Sequence, residues 1–187
     1  TQGIDERCKA VALEKAIVYR KLDVAMYLLN VFDIDMNLMG ETSLSGLVAD
    51  GGAECLGFFK KIVMRLDSSR ESIIKKNEAL MQACIHSDPR IARFLIENGA
   101  DVNYRDGRAL LLVADSEEEK LSIAKLLVEN GLALDQAFID IMENENGDEE
   151  EYYNDESLGS RAIDLAYDMG NTQIAKYIEK AMGNPWG

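Results

Sequence analysis

Apolar residues in this chain come in short bursts spaced three and four apart, several of them closed by a polar turn that contains glycine. Two stretches state the pattern almost identically: "IARFLIENGADVN" at 91–103 and "IAKLLVENGLALD" at 123–135, 32 residues apart. The stretch 77–103 spells out a complete unit. Leu80, Ala83 and Cys84 share one helical face through i, i+3, i+4 spacing. Asp88-Pro89 then opens a second helix, with Asp at the N-cap and Pro in the first turn. Ile91, Ala92, Phe94, Leu95 and Ile96 give that helix its buried stripe, and Gly99 supplies the left-handed residue that stops it. Residues 100–103 lead outward into a turn.

This helix–turn–helix–turn unit resembles the ankyrin repeat, a motif of about 33 residues with T-P-L-H-x-A in its first helix. "NGADVN" at 98–103 matches that family's closing motif as written. Laid along the chain, the pattern places the first-helix anchor at Leu13, Leu44, Leu80, Leu110 and Ile163. Three positions on stand Ala16, Leu47, Ala83, Val113 and Ala166. The second-helix stripes become "VAMYLL" (24–29), "CLGFF" (55–59), "IARFLI" (91–96), "IAKLLV" (123–128) and "IAKYI" (174–178). The resemblance implies an all-α fold, an ankyrin-repeat solenoid of stacked helix–turn–helix units with short projecting turns. One domain over 1–187 is expected, with repeats near 8–37, 40–66, 77–103, 107–135 and 160–182. Insertions fall at 62–76 and 136–159. The first of these either lengthens the preceding second helix or adds a Ser-containing loop.

Such pairs cannot bury their apolar faces alone, so stability is expected from stacking on neighbours. Cys55 and Cys84 fall on the apolar stripes, where a thiol packs as a small hydrophobe. Trp186 is expected as a packed cap or a loose tail. No unit carries the full T-P-L-H, so the hydrogen bonds that Thr and His make in regular repeats must be absent or replaced.

Charge changes the picture at one place. Eight acids and no base lie between Glu143 and Glu156, more than half of a formal net charge of −14. A like-charged run of this kind is expected to project into water without structure of its own, with Tyr152 and Tyr153 as its apolar feature. The acidic balance argues against a nucleic-acid partner, whose phosphates need clustered Lys and Arg, and suits a protein partner with a basic surface. A calcium loop centred on Gly147 would put Met142 and Tyr153 at ligand positions, which neither can fill. Three cysteines at unrelated spacings suggest reduced thiols and a cytoplasmic setting. The charged first twenty residues hold no apolar signal segment, and no uncharged run is long enough to span a membrane.

Catalytic signatures are missing from the sequence. His86 is the single histidine, and Cys84, two residues away, points to a different side of the helix. No phosphate-binding glycine loop or nucleophile-elbow motif occurs. The expectation is a non-catalytic protein-interaction module without cofactor or metal. The resemblance implies a concave face built from projecting turns and first helices. Carried over by position, that face includes Lys15, Tyr19, Met39, Glu41, Asp50, Gln82, His86, Tyr104, Arg105, Arg108, Asp115 and Asp168. The acidic insert adds Glu149, Glu150, Glu151, Tyr152 and Tyr153. A narrower alternative is a dedicated inhibitor or immunity protein that occludes the active site of a toxin or enzyme.

Overall fold

The computed structural model describes residues 5–49, 53–86, 88–116, 120–143 and 149–183; the side chains of 41–43, 53–55 and 137–155 lie outside that description, as does Trp186. Among the described residues the architecture is all-α apart from one two-stranded hairpin. Among the described residues ten α-helices follow one another in five successive pairs. They are α1 (Glu6–Val18) with α2 (Leu22–Val31), α3 (Glu41–Ala49) with α4 (Ala53–Val63), and α5 (Arg70–Ile85) with α6 (Pro89–Glu97). Then come α7 (Tyr104–Ala114) with α8 (Leu121–Glu129), and α9 (Leu158–Asp168) with α10 (Thr172–Ala181). Contacts divide the chain into two compact units, Thr1–His86 with Arg90–Asp101, and Ser87–Pro89 with Val102–Gly187.

The repeated E-N-G stop has a single physical basis. Asn98 donates its side-chain amide to the carbonyl of Phe94 at 2.7 Å, and Asn130 does the same to Leu126 at 2.7 Å. Gly99 and Gly131 then turn left-handed, at φ 89° and 91°. That lets Ala100 N–H reach back to Leu95 O and Leu132 N–H to Leu127 O, satisfying carbonyls the helix end would otherwise leave open. Arg20, at φ 54°, takes the glycine's place after α1, where Lys21 N–H returns to Ala16 O.

In the first unit α3 lies between α1 and α5. The extra residues before Asn77 do not lengthen α4, which ends at Val63; they form a short loop and extend α5 to 16 residues. Ser69 caps the extension by accepting from Ser72 N–H at 3.3 Å. The added turn is buried through polar groups: Ser72 Oγ donates to Asn37 Oδ1 (2.7 Å), Lys75 Nζ to Asn37 O (2.7 Å) and Lys76 Nζ to Asp67 O (3.3 Å). These bonds fasten the 3-10 turn Met36–Leu38 and the 64–69 loop to α5. Without them two buried ammonium groups would cost several kcal/mol, on the order of an uncompensated buried charge.

In the second unit α7 packs on α9 and α8 on α10. Between the pairs, β1 (Ala137–Glu143) and β2 (Glu149–Ser157) form an antiparallel ladder in the register Ile139↔Tyr153, Ile141↔Glu151 and Glu143↔Glu149, with an irregularity between Ala137 and Ile139. The acidic run expected to lack structure is therefore in part a strand. Its charge bars it from a core, but β1 supplies ladder hydrogen bonds that need no apolar side chain. Leu158 N–H to Gln136 O (2.9 Å) and Gly159 N–H to Leu134 O (2.8 Å) close the hairpin at its base.

Stacking decides which apolar positions are covered. The position three after each anchor is buried in every pair, at Ala16, Leu47, Ala83, Val113 and Ala166. Leu13, Leu44, Leu80 and Leu110 are buried too, but Ile163 is only half-buried, and its neighbour Ala162 is covered in its place. No described pair lies beyond α10 to cover it. The converse holds at the other end: Val24 is 45% exposed, whereas its counterparts Ile91, Ile123 and Ile174 are buried.

Asparagine side chains tie the turns to the helical pairs. Asn77 Oδ1 accepts from Asp101 N–H at 2.7 Å. Asn103 accepts from Ala133 N–H (2.8 Å) and donates to Gly131 O (3.1 Å), tying the turn before α7 to the turn after α8.

Candidate functional site

The residues expected on a binding face fall into both units. In the first, Tyr19 caps the end of α1 and is 67% exposed, and Lys15 is exposed on the same helix. Gln82 is half-buried on α5, with exposed His86 at its C-cap. Met39 departs from the expectation: at 5% exposure it packs inside, as does Met36, because the polar anchoring of Asn37 holds the turn against α5 and leaves only Leu38 facing out. Asp50, and the side chains of Glu41, Glu149, Glu150, Glu151, Tyr152 and Tyr153, lie outside the described residues. Cys84 is wholly buried and His86 exposed, so they do not form a nucleophile–base pair; the remaining described thiol, Cys8, is exposed.

The second unit gathers the better surface. Its first helix opens with three successive left-handed residues, Arg105 (φ 50°), Asp106 (φ 55°) and Gly107 (φ 74°), so regular helix begins only after Gly107. The reversal is held because Gly107 is buried against Leu158 and Leu132, whose side chains lie too close for a Cβ to enter without displacing them, with Gln136 in tight contact beside them. Non-glycine residues in this region each carry strain of about 1 kcal/mol or more, which concentrates where a scaffold over-determines the backbone. Tyr104 and Arg105 are presented on this turn, with the guanidinium 5.4 Å from the ring centroid.

Beyond the turn, α7 and α9 enclose a cleft of about 200 Å³ lined by Arg108, Leu111, Leu112, Asp115, Arg161 and Leu165. The hairpin stands beside it, β1 against α7 and β2 against α9. Of the lining residues, sequence reasoning named Arg108 and Asp115 and missed the rest. A signal was present: Arg161 stands two before Ile163 as Arg108 stands two before Leu110, and Leu112 and Leu165 both stand two after. Asp168, expected on the same face, is exposed at the last residue of α9 and does not line the cleft. At this volume the cleft is below the roughly 300–1,000 Å³ of pockets that hold small molecules, and suits one or two side chains. Among the described residues no group of acids, cysteines and histidine could hold a metal.

Residues 76–107, from the middle of α5 through the left-handed turn, match the family model of the ankyrin repeat. The chain carries an ankyrin repeat. The two-helix geometry of that ankyrin repeat recurs in the pairs on either side of it, in the all-α repeat class that the spacing of the apolar stripes implied. No curated protein matches the chain. Ankyrin repeats suggest a protein-interaction module, and among the described residues no helix is long and apolar enough to cross a membrane.

Proposed function

We propose that this chain is a non-catalytic module that holds a protein partner, its repeats acting together as a single domain. The carrying observation is the cleft between the first helices α7 and α9, flanked by the strained Tyr104–Gly107 turn and by the hairpin. Tyr and Arg dominate the energetic centres of protein interfaces, which supports Tyr104, Arg105 and Arg108 as anchors, with Tyr19, Gln82 and His86 as contacts of the first unit. The acids of 143–156 support a partner with a basic surface near the hairpin, attracted at long range. Cys8 and Cys84, neither of them in a disulfide, support a reducing, cytoplasmic setting. An inhibitor of a basic enzyme would use the same surface, and loss of that enzyme's activity on mixing would separate it from a scaffold.

The test is site-specific photo-crosslinking in extract of the source cells, with the crosslinker at Leu112, at Arg105 or, as control, at Val24. A discrete protein adduct from the first two positions and not from the third is expected. Equal labelling from all three would remove the reading. With the captured partner in hand, association should slow as salt rises, and a chain in which a two-residue turn replaces 143–157 should associate more slowly at low salt.

A further inference from the structure

Two arginines face one another's helices across the α7–α9 cleft in a protein that carries 34 acids against 20 Lys and Arg. Every global consideration favours their pairing with a carboxylate of the chain itself. Among the described residues neither Arg108 nor Arg161 makes a hydrogen bond or ion pair. Both are partly buried, as are Leu111, Leu112 and Leu165, while Asp115 at the far end is exposed. A guanidinium held half out of water with its five donors unused is an open site for a planar anion. The apolar floor beside it lowers the local dielectric and strengthens whatever pairs there.

The dimensions restrict the occupant. Arg108 and Asp115 are seven residues apart, about 10 Å of helix at the usual rise. An extended peptide covers that distance in about three residues. Along α7 the cleft therefore presents a cation, two leucines and a carboxylate in order, and α9 adds Arg161 and Leu165 in the same order.

We propose that the α7–α9 cleft binds a short extended segment of the partner that places a Glu or Asp side chain between Arg108 and Arg161 and an adjoining aliphatic side chain on Leu111, Leu112 and Leu165. Asp115 receives a backbone N–H or a basic side chain at the other end. This specificity rests on the protein-binding reading and sharpens it: the hairpin attracts positive charge at long range, whereas the cleft selects a carboxylate at short range.

The test uses the full chain and fluorescein-labelled, end-blocked peptide pools with a fixed Glu-Leu or Leu-Glu core between randomised flanks, against matched pools carrying Gln for Glu. Retention of the Glu pools over the Gln pools by at least about tenfold is expected for a charge-assisted contact in a partly buried groove. The Arg108→Gln/Arg161→Gln double variant should lose that preference with its far-UV circular dichroism and unfolding midpoint unchanged. Equal retention of Glu and Gln pools, retention of neither, or a preference that survives the double substitution overturns the proposal. If the Leu112 crosslink to a partner persists in the double variant at undiminished affinity, the carboxylate specificity is wrong while the module reading stands. Loss of discrete crosslinks from the unsubstituted chain would instead remove both.

Discussion

Asn171, buried in the turn between α9 and α10, donates its side-chain amide to the carbonyl of Ala114 at 3.0 Å and to that of Ser116 at 2.6 Å, 57 and 55 residues earlier. One amide thus ties the turn of the last helical pair to the turn of the pair before it. Removing it as Asn171→Ala strips a buried donor from one carbonyl at the end of α7 and one in the turn just beyond, and should destabilise the protein by about 1–3 kcal/mol. Asn171→Asp, equal in size but without the donor, should cost at least as much. Equilibrium urea unfolding checks both.

Neighbour stacking makes equivalent positions unequal. Ile91 is buried and Val24, at the same place in the first pair, is 45% exposed. Ile91→Ala should cost about 2–5 kcal/mol through lost transfer energy and a residual cavity. Val24→Ala should stay within about 1 kcal/mol, close to a surface substitution. Similar losses at both sites would contradict the stacking order.

Gly107 is fixed twice over, by its positive φ of 74° and by the Leu158 and Leu132 side chains occupying the space of a Cβ. Gly107→Ala should destabilise by about 1–3 kcal/mol or more, as overpacking and left-handed strain add. It should also displace the Tyr104–Arg105 turn, so partner binding should weaken beyond the effect on stability. Gly131→Ala, with φ 91° but open space around it, separates the two contributions and should cost less.

Asp67 provides a pH test. The Ser69 hydroxyl and the Ser69 backbone N–H (2.9 Å), with Ser72 and the Lys76 charge behind them, hold its carboxyl below the ordinary 3.8. The native state prefers the ionised form, so this contribution is present above the unfolded value and is lost as pH falls through the lower folded value. Asp67→Asn should therefore be the less stable chain at neutral pH, with the difference shrinking below about pH 4. Unfolding midpoints of the two chains against pH measure it. A difference that does not change with pH would show that the carboxylate's charge is not involved.

The helical pairs were legible because their signals are local. Three-and-four spacing marks a buried stripe, Asp88-Pro89 a helix start, and Asn98-Gly99 a helix end closed by the asparagine's own amide. Arg20 was not legible as a helix end, since nothing in its chemistry demands φ 54°. The anchor at Ile163 was read as buried because its spacing is that of Leu110; spacing does not say whether another pair lies on top. Charge pointed to an unstructured run at 143–156, and backbone pairing with 137–143, invisible to composition, made 149–157 a strand. Of the cleft, Arg108 and Asp115 were found from position; Arg161 needed the comparison of two anchors across the insertion.

By itself, then, the order of residues determined the repeating helical pair, since periodicity and capping act within a few residues of one another. Only the tertiary structure decided which stripes are covered, that Met39 turns inward, and that two arginines 53 residues apart share a cleft in which, among the described residues, neither pairs with a carboxylate. Those outcomes depend on which surfaces meet, and the free energy of meeting belongs to the pair of surfaces, not to either segment alone.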